Sequence, residues 1–102
     1  MALTTQTYAE QVGRAYAEAV RGHEAVLELW VTSVPGCVRV WMVTPPIDAD
    51  TERSLHGLSR AVYERFGKAD FMLLILNPRH HVRGDVRDAV PRDAVQIPLQ
   101  ST

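Results

Sequence analysis

The residues best suited to chemistry in this 102-residue chain crowd into one stretch, Arg79-His80-His81-Val82-Arg83-Gly84-Asp85-Val86-Arg87-Asp88. Residues 79–92 hold four arginines against two aspartates, plus two histidines. Guanidinium groups pair with phosphate in a bidentate fashion, so Arg79, His80, His81, Arg83 and Arg87 form a candidate nucleic-acid or phosphate-binding loop. The competing reading is a solvated loop whose arginines pair with Asp85, Asp88 and Asp93, and this is the favoured one. His80 or His81 could act as an acid/base group. No nucleophile or phosphate loop accompanies them, so the balance leans away from an enzyme. Adjacent histidines in extended backbone point to opposite sides, which makes them poor joint metal ligands. Without Cys or acidic partners at set spacings, no metal or other cofactor is expected.

The remaining reactive residues are more isolated. Cys37 is the single cysteine, placed inside a predicted strand, and reads as a buried thiol rather than a nucleophile. No internal disulfide is possible, which fits a reducing compartment. His23, Glu24 and His56 lack accompanying catalytic groups. Asp48, Asp50 and Glu52 sit where a helix should begin, and the helix dipole accounts for them without a metal ion. Arg83-Gly84-Asp85 spells an adhesion tripeptide, but Gly-Asp is common turn material.

A different kind of site emerges from the strands. Residues 25–32 and 37–43 are β-branched and aromatic-rich, with Val34-Pro35-Gly36 between them, and predict a hairpin. Alternation puts Leu27, Leu29, Val31, Val38, Val40 and Met42 on one face. The other face carries Val26, Glu28, Trp30, Arg39, Trp41 and Val43. Two indoles beside a carboxylate and a guanidinium make Trp30, Trp41, Arg39 and Glu28 a candidate partner-binding surface. The alternative is that the first helix packs there and the second helix on the opposite face, so that both indoles are core. If the face is open, a homodimer is the commonest way to close it.

The elements that would position these residues follow from periodicity. Thr7 and Glu10 form a capping box before a stripe of Tyr8, Val12, Ala15, Tyr16 and Ala19, and Gly22 ends this first helix. Thr44-Pro45-Pro46 closes the hairpin. Asp48 or Asp50 caps a second helix with the stripe Thr51, Leu55, Leu58, Val62 and Phe66, which Gly67 ends. The uninterrupted apolar run Phe71-Met72-Leu73-Leu74-Ile75-Leu76 predicts an interior strand buried on both faces. It should return to the hairpin's sheet by a right-handed crossover, parallel to the strand before it. Ala89-Val90 suggests a short helical turn, and residues 94–99 a proline-bounded edge strand.

The expected fold class is a single α+β domain over residues 1–102, in the order helix-strand-strand-helix-strand plus a short C-terminal edge strand, with helices packed on a mixed sheet. This element order resembles that of type II K-homology RNA-binding modules. The resemblance implies nucleic-acid binding through a Gly-x-x-Gly loop, for which His56-Gly57-Leu58-Ser59 offers only Gly57.

Composition narrows the function classes. The chain is 46% hydrophobic and 23% charged, as globular proteins are, and its net charge is -1. That excludes a strongly basic whole-surface nucleic-acid binder, though not a local basic patch. Ten of its eleven basic residues are arginine. The N-terminus shows no secretory pattern and no apolar run reaches a membrane span, so a cytoplasmic protein without membrane contact is expected. The leading expectation is a small protein-interaction module, an adaptor or subunit that self-associates. Nucleic acid is the less favoured partner.

Overall fold

The computed structural model describes residues 8–35, 37–66, 71–80 and 84–99. Helix α1 (Tyr8–Ala19) buries Val12, Ala15 and Tyr16 along the anticipated stripe. It ends where Gly22 takes a left-handed φ of 85°, a conformation that an L side chain resists. Thr7, the expected cap, lies outside the described residues.

Strands β1 (Glu28–Val34) and β2 (Cys37–Val43) pair antiparallel, with Val34 opposite Cys37 across a two-residue loop. The anticipated faces hold inside the strands. Leu29, Val31, Val38, Val40 and Met42 are buried together, and Trp30 stands opposite Trp41 on the other side. The first strand starts three residues later than expected, because residues 24–25 turn and Val26 N–H bonds back to His23 C=O. Val26 consequently joins the core, and Leu27 is 46% exposed rather than buried beside Leu29.

Asp48 caps helix α2 (Ala49–Gly57), its carboxylate accepting from Thr51 N–H at 2.7 Å. Helix α3 (Ser59–Phe66) follows after Leu58. The single expected helix is thus two short ones, although Leu58 keeps right-handed backbone angles and the buried positions Leu55 and Val62 stay in phase. Strand β3 (Phe71–Leu76) then pairs parallel to β2 and strand β4 (Val95–Ile97) antiparallel to β1. The sheet order β3-β2-β1-β4 makes this a compact α+β domain with a four-stranded mixed sheet.

This order corrects one expectation. β3 is an edge strand, not an interior one, and Met72 on it is 51% exposed. Its unbroken apolar run reflects one buried face and one apolar but open face.

All three helices pack on the same side of the sheet. The core joins Val12 and Tyr16 of α1, Leu55 of α2 and Val62 of α3 to the inward residues of the strands. Tyr16 and Ser59 share a buried 2.6 Å hydroxyl hydrogen bond that ties α1 to the start of α3. Burial pushes the Tyr16 phenol up to about 12, against the opposing effect of that bond. Phe71 receives Tyr16 and Phe66 edge-on and lies against Tyr63 with ring centroids 4.7 Å apart. Gly13 lets α1 settle onto the sheet, since a Cβ there would sit 2.6 Å from Ile97 Cγ1 and 2.7 Å from Val31 Cγ1. The arrangement with one helix on each face is therefore not adopted.

Candidate functional site: the open face of the sheet

With the helices on one side, the opposite face presents its residues in rows across the strands. The central row runs Gln96, Trp30, Trp41, Leu74, and the next runs Thr32, Arg39, Met72. Val34 and Cys37 close the hairpin end, where Val34 is 36% exposed. At the other end the row Glu28, Val43, Leu76 lies near a 3₁₀ turn, Val86–Ala89, whose Val86 is buried. Among the described residues this turn is tied to that end through Arg87 and Glu28. Both indoles and Leu74 remain partly exposed, and Arg39 is exposed.

The tryptophans are held in place by their own polar atoms. Trp30 Nε1–H donates to Glu28 Oε1 at 3.0 Å, and Trp41 Nε1–H donates to the Thr32 hydroxyl at 3.1 Å. Arg87 reaches across from the 3₁₀ turn to donate from Nε to Glu28 Oε2 at 2.8 Å. Partial burial by itself would raise the Glu28 carboxyl, but the Trp30 and Arg87 hydrogen bonds outweigh it and hold the group below its ordinary range. Both rings are thus fixed before any partner arrives, so less rotamer freedom is left to lose on binding.

Arg39 differs from its neighbours. Among the described residues it makes no ion pair, and Glu28, the carboxylate of the same face, is already committed to Trp30 and Arg87. Among the described residues the face is thus largely apolar, its indoles are pinned, and its exposed guanidinium has no ion-pair partner.

The Glu28 linkage gives a pH test. A carboxyl depressed in the folded state adds stability above its unfolded value, and that stability is lost as pH falls through the folded value. Arg87→Ala removes two of the effects that depress it. The variant should lose the Trp30–Glu28 contact at a higher pH than the parent, read as the midpoint of the acid-side change in tryptophan fluorescence. An unchanged midpoint would show that Arg87 contributes nothing there.

The basic loop is less available than its composition suggests. Arg87 also lies 3.4 Å from Asp85, and Arg79 donates from Nη1 to Ile47 C=O at 3.5 Å. His80 Nε2 sits 2.9 Å from Glu52 Oε2 at the surface. Cys37 lies at the opposite end of the sheet, since Val38 pairs with the first residue of β3 and His80 follows its last. His81 and Arg83 lie outside the described residues. Among the described residues no three metal-ligating side chains converge. A groove of about 240 Å³ between α1 and α3 is lined by alanines, Val62 and the Glu18–Arg65 pair, away from both His80 and Cys37. At the Gly57 position, where the K-homology resemblance would need a loop, α2 passes into α3 with only Leu58 between them.

One buried polar group escaped the sequence reading. Asn77, 3% exposed, takes the Ile47 N–H on Oδ1 at 3.2 Å and returns Nδ2–H to Ile47 C=O at 3.0 Å. It also donates to Glu52 Oε2 at 3.1 Å. The side chain latches the segment after β2 to the segment after β3. An asparagine before a proline looks like any turn residue, and no local signal distinguishes this one.

No protein-family model matches the chain, nor does any curated protein or solved structure. No helix among the described residues is long and apolar enough to cross a membrane.

Proposed function

We propose that this domain is a non-enzymatic interaction module, an adaptor or subunit that docks a protein partner on the open sheet face of Trp30, Trp41, Leu74 and Met72. The observation that supports the reading is the placement of all three α-helices on one side, which leaves on the other two pinned indoles and a guanidinium that makes no ion pair among the described residues. Aromatic and arginine side chains of this kind dominate interface energetics. Arg39 specifies the partner's chemistry. A guanidinium buried without a counter-charge is costly, so the matching surface carries a carboxylate among apolar side chains. Two copies of this face pressed together would bring their unpaired arginines into one interface with no free acid to meet them, which argues for a different chain as the occupant.

The test compares proteins captured from native cells by the parent, Trp41→Ala and Arg39→Glu, each checked for an unchanged melting profile. A partner held by the parent and lost at least tenfold by both variants supports the reading. Capture indifferent to both substitutions, or unfolding of Trp41→Ala, defeats it.

A further inference from the structure

Self-association needs a surface other than the face, and the two edges of the sheet are not alike. β4 has only three residues, is followed at once by Pro98, and is preceded by the turn at Pro91-Arg92-Asp93. Short length and flanking proline are the usual protections against unwanted strand pairing. β3 has none of them: six residues, no charge, no proline and no glycine.

The backbone of β3 shows which groups face away from β2, where no strand among the described residues pairs with them. Thr44 N–H donates to Leu76 C=O, so Leu76 turns its peptide groups toward β2. Alternation along a strand then sends those of Leu74 and Met72 inward as well, and those of Ile75, Leu73 and Phe71 outward, away from the sheet. Apolar surface flanks this edge on both sides. Met72 is 51% exposed on the open face, and Tyr63, packed on Phe71, is 38% exposed on the helix side.

We propose that two copies of this chain join through their β3 edges, antiparallel about a two-fold axis perpendicular to the sheet, forming one continuous eight-stranded sheet (twice the four strands of one copy). The inference goes beyond the proposed function, which concerns the face alone, and places a seam between copies at the edge of the sheet. A two-fold of this kind keeps both helix layers on one side, and a residue of β3 then pairs with itself or with one an even number of positions away. Every such register sets apolar side chains opposite one another and no like charges, so the strand is its own complement. Both Trp30–Trp41 faces then lie side by side on one platform, still open to a partner.

The experiment is sedimentation equilibrium over a wide concentration range on the parent, the double variant Met72→Lys/Leu74→Lys, and Trp41→Ala. Amide hydrogen exchange of the parent is followed by NMR at low and high concentration. The expected result is a parent dimer, association weakened at least tenfold by the two lysines and unchanged by Trp41→Ala. The Leu73 and Ile75 amides should become protected as concentration rises. This exchange measurement needs no variant and decides the matter even if the lysines unfold the chain. A parent that stays monomeric, or a dimer whose Leu73 and Ile75 amides exchange as fast as in dilute solution, overturns the edge seam. A dimer broken by Trp41→Ala and untouched by the lysines also overturns it, while leaving the face as a binding surface. Exchange at Leu73 and Ile75 reports the edge, and capture compared between the parent, Trp41→Ala and Arg39→Glu reports the face. The lysine variant, which alters residues of both, takes no part in the capture test, so the two readings fail separately.

Discussion

Asn77→Ala should cost about 3 kcal/mol of stability, because each buried group left without its partner costs roughly 1–3 kcal/mol. The substitution strands the buried Ile47 N–H and leaves the Ile47 C=O only the long 3.5 Å bond from Arg79 Nη1, in a part of the chain that water barely reaches. It also frees Glu52, whose carboxyl is held low first by Asn77 and then by His80. A carboxyl depressed in this way stabilises the fold above its ordinary value, and the effect fades as pH falls through the folded value. The deficit of the variant should therefore be largest near neutrality and shrink in acid. Urea melts at several pH values measure it, with an unchanged slope showing that the same surface unfolds. A loss below about 0.5 kcal/mol, the range of ordinary surface substitutions, would mean that water replaces the latch without penalty.

The second large effect is at Gly13. On helix propensity alone, replacing a mid-helix glycine should help by up to about 1 kcal/mol. The packing reverses that sign. The added carbon would lie within 3 Å of side chains on β1 and β4, and both strands are fixed by the ladder they share. Overpacking of a filled core costs roughly 1–3 kcal/mol. Gly13→Ala should therefore lower stability by about 1 kcal/mol net, and Gly13→Val, stiffer and larger, by about 3 kcal/mol. Thermal melts of the two variants check the order. A stabilised Gly13→Ala protein would show that α1 can lift off the sheet freely.

Much of the architecture was legible because its signals are local. The α1 stripe, the hairpin and its two faces, the Asp48 cap and the parallel return of β3 each follow from periodicity or turn chemistry in a short window. The break at Leu58 was not, since Leu55 and Val62 keep one phase straight through it. The edge position of β3 was misread for a more instructive reason. Met72 and Leu74 are apolar on a face that no α-helix among the described residues covers, and an apolar open surface has the same composition as a buried one. Which face the helices share was also beyond a local reading. It depends on the Tyr16–Ser59 bond and on Gly13 meeting Ile97, contacts between residues far apart in the chain. Of the candidate site, the pairing of Trp30 with Trp41 could be read from the hairpin. The capture of Glu28 by Arg87 could not, because it joins positions 59 residues apart.

The break at Leu58 also bears on how quickly the domain assembles. It leaves the crossover as helices of nine and eight residues, each shorter than the roughly 12 residues at which an isolated helix becomes marginal in water. Neither can stand as a preformed unit onto which the strands condense. The parallel β2–β3 ladder, and the helices that bridge it, have to be gained together, and non-local pairing of that kind is slow. Until it is complete, the six apolar residues of β3 are in water with no strand beside them. The productive route is thus in competition with intermolecular strand pairing, and dilution or a chaperone that shields the segment shifts the balance toward the native sheet.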